Sequence, residues 1–289
     1  MPLGAHVSTA GGLSTCVARA QVMGAECMQI FLSAPQRWQQ PRHTDEQVDE
    51  FCRLVAEAGI GPNYAHATYL TNLATTDPGI RQRTVDNLRA YTAWADRIGL
   101  AGIVVHVGSG RGQPIPEAEV QVAEALAEVL QGGSTSALLL ENSAGSGDLL
   151  GSRFEQIGAL FDRLGRDARL GLCLDTAHTF ASGYDLRIDE GIARAVDEIS
   201  AHIGIDRLRL IHANDSKVGL GSAVDRHENI GKGLLGEEAF VRMLAYPVLG
   251  SRSVPWVLEV PGYDDKGPDK PNLDTLKRLA GRTYSGSSA

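Results

Sequence analysis

Eight short apolar runs punctuate this chain, at residues 3–8, 27–32, 61–67, 102–108, 137–143, 170–175, 208–214 and 255–260, and from the third onward nearly all end in a histidine or a carboxylate. NYAHA carries His66, IVVHVG His106, LLLEN Glu141, LCLDTAH Asp175 and His178, LIHAND His212 and WVLEV Glu259. Valine-, isoleucine- and leucine-rich runs alternating with helical segments predict an α/β fold, the (β/α)8 TIM barrel, in which the loops after the strands build the active site. Barrel closure would then gather these side chains on one rim. Several imidazoles and carboxylates buried together leave charges and polar atoms in need of partners, and a metal cluster supplies them. Nitrogen and oxygen donors of this kind suit zinc or manganese.

Spacing supports the same architecture. His66, His106, Glu141, Asp175, His212 and Glu259 follow one another at intervals of 34 to 47 residues, near the one-eighth share that a strand–helix unit takes of 289 residues. Helical patterns fall between the runs. Thr44 and Gln47 have capping-box spacing ahead of one, Asp77-Pro78 opens another, and Gly59 and Gly99 stand where these helices should close. With 43% hydrophobic and 21% charged residues, the chain reads as one domain over residues 1–280, followed by a small, polar, flexible tail at 281–289. Residues 214–236, NDSKVGLGSAVDRHENIGKGLLG, are too long for an ordinary strand-to-helix turn, and long loops of this kind are functional or mobile.

Two short spacings add candidate ligands. DTAH places Asp175 and His178 three apart where a strand gives way to a loop; DRH places Asp225 and His227 two apart, so that in an extended loop both point the same way. Taken singly, each of these histidines would be an ordinary buried or hydrated residue, and the weight lies in their number. His6 is expected to be structural or to stand behind a ligand, while His43 and His202, in helical patterns, are expected on the solvated surface. The Gly-rich stretches GSGRGQP and GKGLLG could wrap phosphate with backbone N–H groups, but neither has P-loop spacing. Arg37-Trp38 and Tyr69-Leu70 offer a cation and flat or apolar side chains near the rim, suited either to stacking on nucleic-acid bases or to plain packing.

Charge and composition exclude several classes. A net charge of −8 and a pI near 5.5 argue against coating nucleic acid with a broad basic surface, though not against local phosphate binding. No apolar stretch approaches the roughly 20 residues of a membrane span, and the first residues lack the features of a secretory signal, so the expected location is cytoplasmic. Cys16, Cys27, Cys52 and Cys173 show no C-x-x-C spacing and are expected as reduced thiols.

GAHVS followed by AGG at the start, Tyr69-Leu70-x-Asn72-Leu73, HVGSG at 106–110, ENSAGSG at 141–147, DTAHTFASGYD at 175–185, HANDSK at 212–217 and DRHENIGKG at 225–233 occur in one order along the chain. In these motifs it resembles the endonuclease IV family of metal-dependent abasic-site endonucleases, from the first strand to Glu259. The resemblance implies a TIM barrel with three divalent ions, zinc with manganese at some positions in certain members. Carried over, one ion falls to His66, His106 and Glu141, a second to Glu141, Asp175, His212 and Glu259, and a third to His178, Asp225 and His227. Glu141, Glu259, His178 and Asp225 stand at the catalytic centre in this alignment, and Arg37, Trp38, Tyr69 and Leu70 at DNA-contacting loops. The implied reaction is hydrolysis of the phosphodiester 5′ to an abasic site in double-stranded DNA, by a monomer, leaving 3′-hydroxyl and 5′-deoxyribose phosphate ends, with cleaning of blocked 3′ ends. Departures lie in the loops: Gln36 two positions before Trp38 where the family usually has arginine, Thr68 for a common proline, GSGRGQ where relatives often carry another histidine, and Val260 for threonine.

Two other readings compete. Sugar isomerase and epimerase barrels use a similar set, here Glu141, Asp175, His212 and Glu259, but have no need of His66, His106, His178 and the Asp225/His227 pair. A non-catalytic binder of damaged DNA would not need complete ligand sets with room for water.

Overall fold

The computed structural model describes residues 1–285. Eight parallel strands close into one barrel: β1 (Leu3–His6), β2 (Met28–Ile30), β3 (Tyr64–His66), β4 (Gly102–His106), β5 (Ala137–Glu141), β6 (Leu170–Asp175), β7 (Leu208–His212) and β10 (Trp256–Leu258), the last returning to pair with β1. Two further strands, β8 (Asp215–Ser216) and β9 (His227–Glu228), form an antiparallel pair within the long loop. Helices α1 (Thr15–Met23), α2 (Asp45–Ala58), α3 (Pro78–Ile98), α4 (Ile115–Leu130), α5 (Phe154–Arg163), α6 (Thr176–Ala181), α7 (Asp189–His202), α8 (Gly236–Ala245) and α9 (Lys270–Ser285) lie between and after the strands. Each barrel strand sits inside one of the eight expected runs, which makes the chain a single-domain TIM barrel.

Side chains of a barrel strand alternate between the interior and the helix layer. Cys27, Tyr64, Val104, Leu139, Cys173, Leu210 and Val257 form an apolar cluster of their own inside the barrel. Two residues further along each strand, and therefore on the same face, stand Gln29, His66, His106, Glu141, Asp175, His212 and Glu259, with His6 on β1 paired in register to Gln29. One layer of the barrel is thus apolar and the next, at the carboxyl ends, is polar throughout.

The helices start as their sequence signals require. Thr44 caps α2 with the Gln47 side chain returning the bond, and Asp77 caps α3 ahead of Pro78. α9 continues past the expected boundary at residue 280: Gly281 costs a helix only about 1 kcal/mol relative to alanine, and no proline follows Pro271 to end it. Residues 286–289 of the expected tail lie outside the described residues. His43 is also not helical; it precedes α2, half-buried, with Nε2 3.3 Å from the Leu32 carbonyl and its ring against Trp94.

The long loop is held by one buried carboxylate. Asp215 accepts from the backbone N–H groups of Ser216, Gly231, Gly233, Leu235 and Gly236 at 2.8 to 3.4 Å. A Cβ at residue 233 would stand 2.4 Å from Asp215 Oδ1, so glycine is required there. The N–H groups of GKGLLG are therefore spent inside the protein, which corrects their reading as a phosphate wrap. Asp215→Asn keeps one acceptor oxygen but removes charge and one lone-pair face, and should cost about 1–3 kcal/mol in urea unfolding. An unchanged midpoint would show that this carboxylate does not anchor the loop.

Candidate metal centre

Glu141 is the hub of the polar layer. Its carboxylate is almost completely buried, with Oε2 3.2 Å from His66 Nε2 and 3.0 Å from His106 Nε2, and Oε1 3.1 Å from His212 Nδ1 and 3.4 Å from His178 Nδ1. His212 Nδ1 also lies 3.1 Å from Glu259 Oε2 and 4.0 Å from Asp175 Oδ2. Donor atoms of His66, His106 and Glu141 cluster within 4.8 Å of one another, as do those of Glu141, Asp175, His212 and Glu259, and those of Asp175, His178 and His227. Asp225 joins the last set, its Oδ1 3.2 Å from His178 Nε2 and 3.1 Å from His227 Nε2. All nine candidate ligands are thus brought to one end of the barrel.

The imidazoles are oriented from behind. His66 Nδ1 donates to the Ala67 carbonyl at 2.7 Å and His178 Nδ1 to the Asn142 carbonyl at 2.9 Å, which turns each Nε2 towards the carboxylates. Asn142 Oδ1 accepts from the Asp175 N–H, and Asn214 donates to Asp175 Oδ2 and accepts from the Glu259 N–H. His6, expected behind a ligand, has Nδ1 3.1 Å from Glu259 Oε1. His178 Nε2 and His227 Nε2 are buried and, although close to Asp225, aligned for no hydrogen bond. Nitrogen and carboxylate donors that converge on common points, two of the nitrogens with no hydrogen-bond partner, are what a divalent cation requires, so these residues can hold metal ions.

Electrostatics follow from crowding. Burial alone would lower His178, but Asp175, Asp225 and Glu141 overcome it and push it up to about 10. Against the same pull of burial, His106 and His227 are raised by neighbouring carboxylates, and His212 by Cys173 together with Glu259 and Glu141. Burial works to raise Glu141, Glu259 and Asp225, yet the facing imidazoles hold all three well below the ordinary carboxylate range.

A cavity of about 910 Å³ opens above this layer, and His66, His106, His178, Asp225, His227 and Glu259 reach its wall. Arg226 and Lys266 stand on its rim. A second hollow of about 410 Å³ shares Tyr69 and His106 with the first and runs along Trp38, Leu70 and Arg83. Tyr69 is 61% exposed, while Trp38 and Leu70 are half-buried. Arg37 is exposed on its turn, and the guanidinium over the Trp38 ring, 5.7 Å from its centroid, is that of Arg83 on α3. Asn72 ties the Tyr69 loop to the β4 loop, bonding Ser109 N–H and carbonyl, and a Cβ at residue 108 would stand 2.3 Å from its Oδ1. Gln29, Asn142, Asn214, Asp215 and Arg83 were not singled out by their sequence context, although EN and HAND do set an asparagine next to or two after a ligand candidate.

The charge pattern has a measurable consequence. His178 in its charged form stabilises the chelated fold fully below about 6.5, its ordinary value, and that contribution is lost as pH rises through about 10. Zn2+ must displace this proton and those on the other raised imidazoles, so loading the chelated chain at pH 7 should release more than one proton, with affinity falling as pH drops. Calorimetric titration in buffers of different ionisation enthalpy reads this number directly. Zinc uptake without proton release would contradict the arrangement.

The family model for xylose isomerase-like TIM barrels matches residues 17–279. A curated relative from Nitratidesulfovibrio vulgaris (strain DP4), named "Probable endonuclease 4", is 40% identical over 287 residues, covering 98% of this chain and 100% of the relative. The crystal structure of endonuclease IV from Thermus thermophilus superimposes with a TM-score of 0.84 at 32% identity, covering 98% of this chain and 100% of that one. A D-tagatose 3-epimerase-like protein superimposes with a TM-score of 0.74 at 18% identity over the full length of both chains, a likeness of fold alone. Identity at this level over nearly the whole chain, joined to a barrel rim that gathers its imidazoles and carboxylates around Glu141, assigns the chain to the endonuclease IV family.

Proposed function

We propose that this chain is a DNA-repair endonuclease that hydrolyses the phosphodiester 5′ to an abasic site in double-stranded DNA, leaving a 3′-hydroxyl and a 5′-deoxyribose phosphate, and that it clears blocked 3′ ends. Three divalent ions, zinc or in part manganese, fall to His66, His106 and Glu141; to Glu141, Asp175, His212 and Glu259; and to His178, Asp225 and His227. The observation that carries this reading is the third set: Asp225 and His227, delivered by the long loop, meet His178 at 3.1 to 3.2 Å around Asp225 Oδ1. A ketose epimerase needs the second set alone. All the donors come from one chain, which suits a monomer, and the reading assigns it to the cytoplasm.

When bound, such ions lower the pKa of water towards neutrality and neutralise charge on phosphoryl oxygens. The chain's residues supply position. Glu259 reaches the cavity wall and Glu141 lies buried beneath it at the inward ends of their strands, and His178 with Asp225 forms the wall on which the departing 3′ oxygen would lie. Arg226 and Lys266 on the rim, with Arg83 along the second hollow, offer local cations to the phosphate backbone of a chain whose net charge is −8. Tyr69 and Leu70, with Trp38 and Arg37 beside them, stand where the gap left by an extruded nucleotide would be filled. An abasic nucleotide flips at least cost because no base pair is broken, so substrate choice follows from deformability and pocket size.

Asp225→Ala/His227→Ala should lose about one of three ions and slow single-turnover nicking of an abasic oligonucleotide by several kcal/mol in barrier, with substrate affinity changed less, because stabilising a leaving group is a transition-state effect. Metal analysis and nicking on the same preparation test it; full-rate nicking with two ions would overturn the three-ion reading. Tyr69→Ala/Leu70→Ala should weaken binding of abasic DNA by about 1–3 kcal/mol while leaving the metal content intact. Unchanged DNA binding in a gel-shift titration would return both side chains to a packing role.

A further inference from the structure

Gln29 is the inward residue of β2, fully buried and aligned in register with His6. Its position in the layer is that of a ligand, but an amide is a poor partner for zinc, and its atoms turn instead to two of the proposed ligands. Oε1 lies 3.0 Å from His212 Nε2. Nε2 donates to Glu259 Oε1 at 2.5 Å and lies 3.0 Å from His6 Nδ1. The opposite amide orientation would set its oxygen against a carboxylate oxygen of Glu259, so the contact with Glu259 fixes this one.

Two consequences follow for the second set of ligands. An amide oxygen only accepts, so His212 Nε2 must carry its proton and Nδ1 presents the lone pair. That nitrogen is the one 3.1 Å from both Glu141 Oε1 and Glu259 Oε2. His66, His106, His178 and His227 each make their shortest carboxylate contact through Nε2, so His212 is the exception among the five, and the exception needs a fixed acceptor behind it. Glu259 is treated similarly: Oε1 is engaged by Gln29 and approached by His6, while Oε2 is left to turn towards His212 Nδ1 and the shared centre.

Resting on the metal reading above, we propose that Gln29 is a positioning residue for the second ion, one amide that selects the tautomer of His212 and the ligating oxygen of Glu259 together. Residues that orient ligands in this way typically govern metal affinity 10–100-fold.

The test starts with zinc-loaded wild-type protein labelled with 15N, in which long-range imidazole spectra should show one histidine protonated at Nε2 and coordinated through Nδ1, and which becomes unobservable as such in His212→Gln. A His212 ring protonated at Nδ1 would overturn the proposal without any variant at residue 29. Gln29→Met keeps the volume and removes both contacts; Gln29→Asn keeps a buried amide but withdraws it by one methylene, and serves where the methionine variant does not fold. In a chelator competition, either folded variant should hold one zinc about 10–100-fold more weakly than wild type, with the remaining zinc held as before. Equal zinc affinity across wild type and both variants would overturn the role of Gln29 alone, whereas a wild-type chain that takes up no zinc would overturn the metal reading on which it rests.

Discussion

A carboxylate buried among imidazoles is the interaction on which the rest of this site depends. Glu141 is buried away from the surface, and an isolated ionised carboxylate in such a place would be strongly destabilising or would protonate. Four imidazoles approach it within 3.4 Å, and the attraction of His106 and His212 above all holds it ionised despite its burial. The dependence is mutual, because His106 and His178 are raised only by Glu141 and the carboxylates around it. Such a layer is stable as a set and unstable in parts, since removing one partner leaves its neighbour buried with no compensation. Divalent cations fit this balance by replacing protons, which converts charged imidazoles to neutral ligands and leaves the carboxylates as the negative half of the cluster.

The barrel can place only what its strands carry. Inward positions two residues beyond the apolar layer deliver His66, His106, Glu141, Asp175, His212 and Glu259 by register alone, and no loop conformation is needed to aim them. Asp225 and His227 have no such support. They arrive on a loop of more than twenty residues, and a flexible segment of that length would pin neither side chain. The structure meets this with Asp215, three residues past the end of β7, whose buried carboxylate collects the N–H groups at the far end of the same loop. The β8–β9 pair then sets His227 opposite Ser216. Asn72 acts similarly on a smaller scale, tying the Tyr69 loop to the β4 loop.

The strands, the single domain and the six rim residues were legible because they follow from a period of two within short apolar runs and from a regular interval between them. Residues whose role is to bond other residues were not. Gln29 sits in the run CMQIFL as one polar residue among apolar ones, and nothing local says whether such a glutamine faces the helices or the barrel; the register of β2 against β1 decides it. Asp215 shows its role only when the backbone of residues 231–236 is folded over it, and for the same reason the glycines there suggest a phosphate site in sequence. Arg83 lies 45 residues from Trp38 and reaches it only through the packing of α3 beside the β2 loop, whereas its sequence neighbour Arg37, the natural candidate, points to solvent. His43 was misplaced because the capping box at Thr44, not the helical pattern before it, fixes where α2 begins.

Fold alone does not choose the chemistry, since an epimerase-like barrel superimposes over the whole chain with a TM-score of 0.74. What differs is how far the polar layer extends beyond the four residues such a barrel could use. Glu141 links that set to His66 and His106 on one side; Asp175 links it to His178 and His227 on the other. The sets therefore share carboxylates, so charge placed on one is felt by the ligands of the next through short contacts. Arg226 and Lys266 beside that layer concentrate positive charge locally, so a net charge of −8 over the whole chain does not describe the cavity mouth.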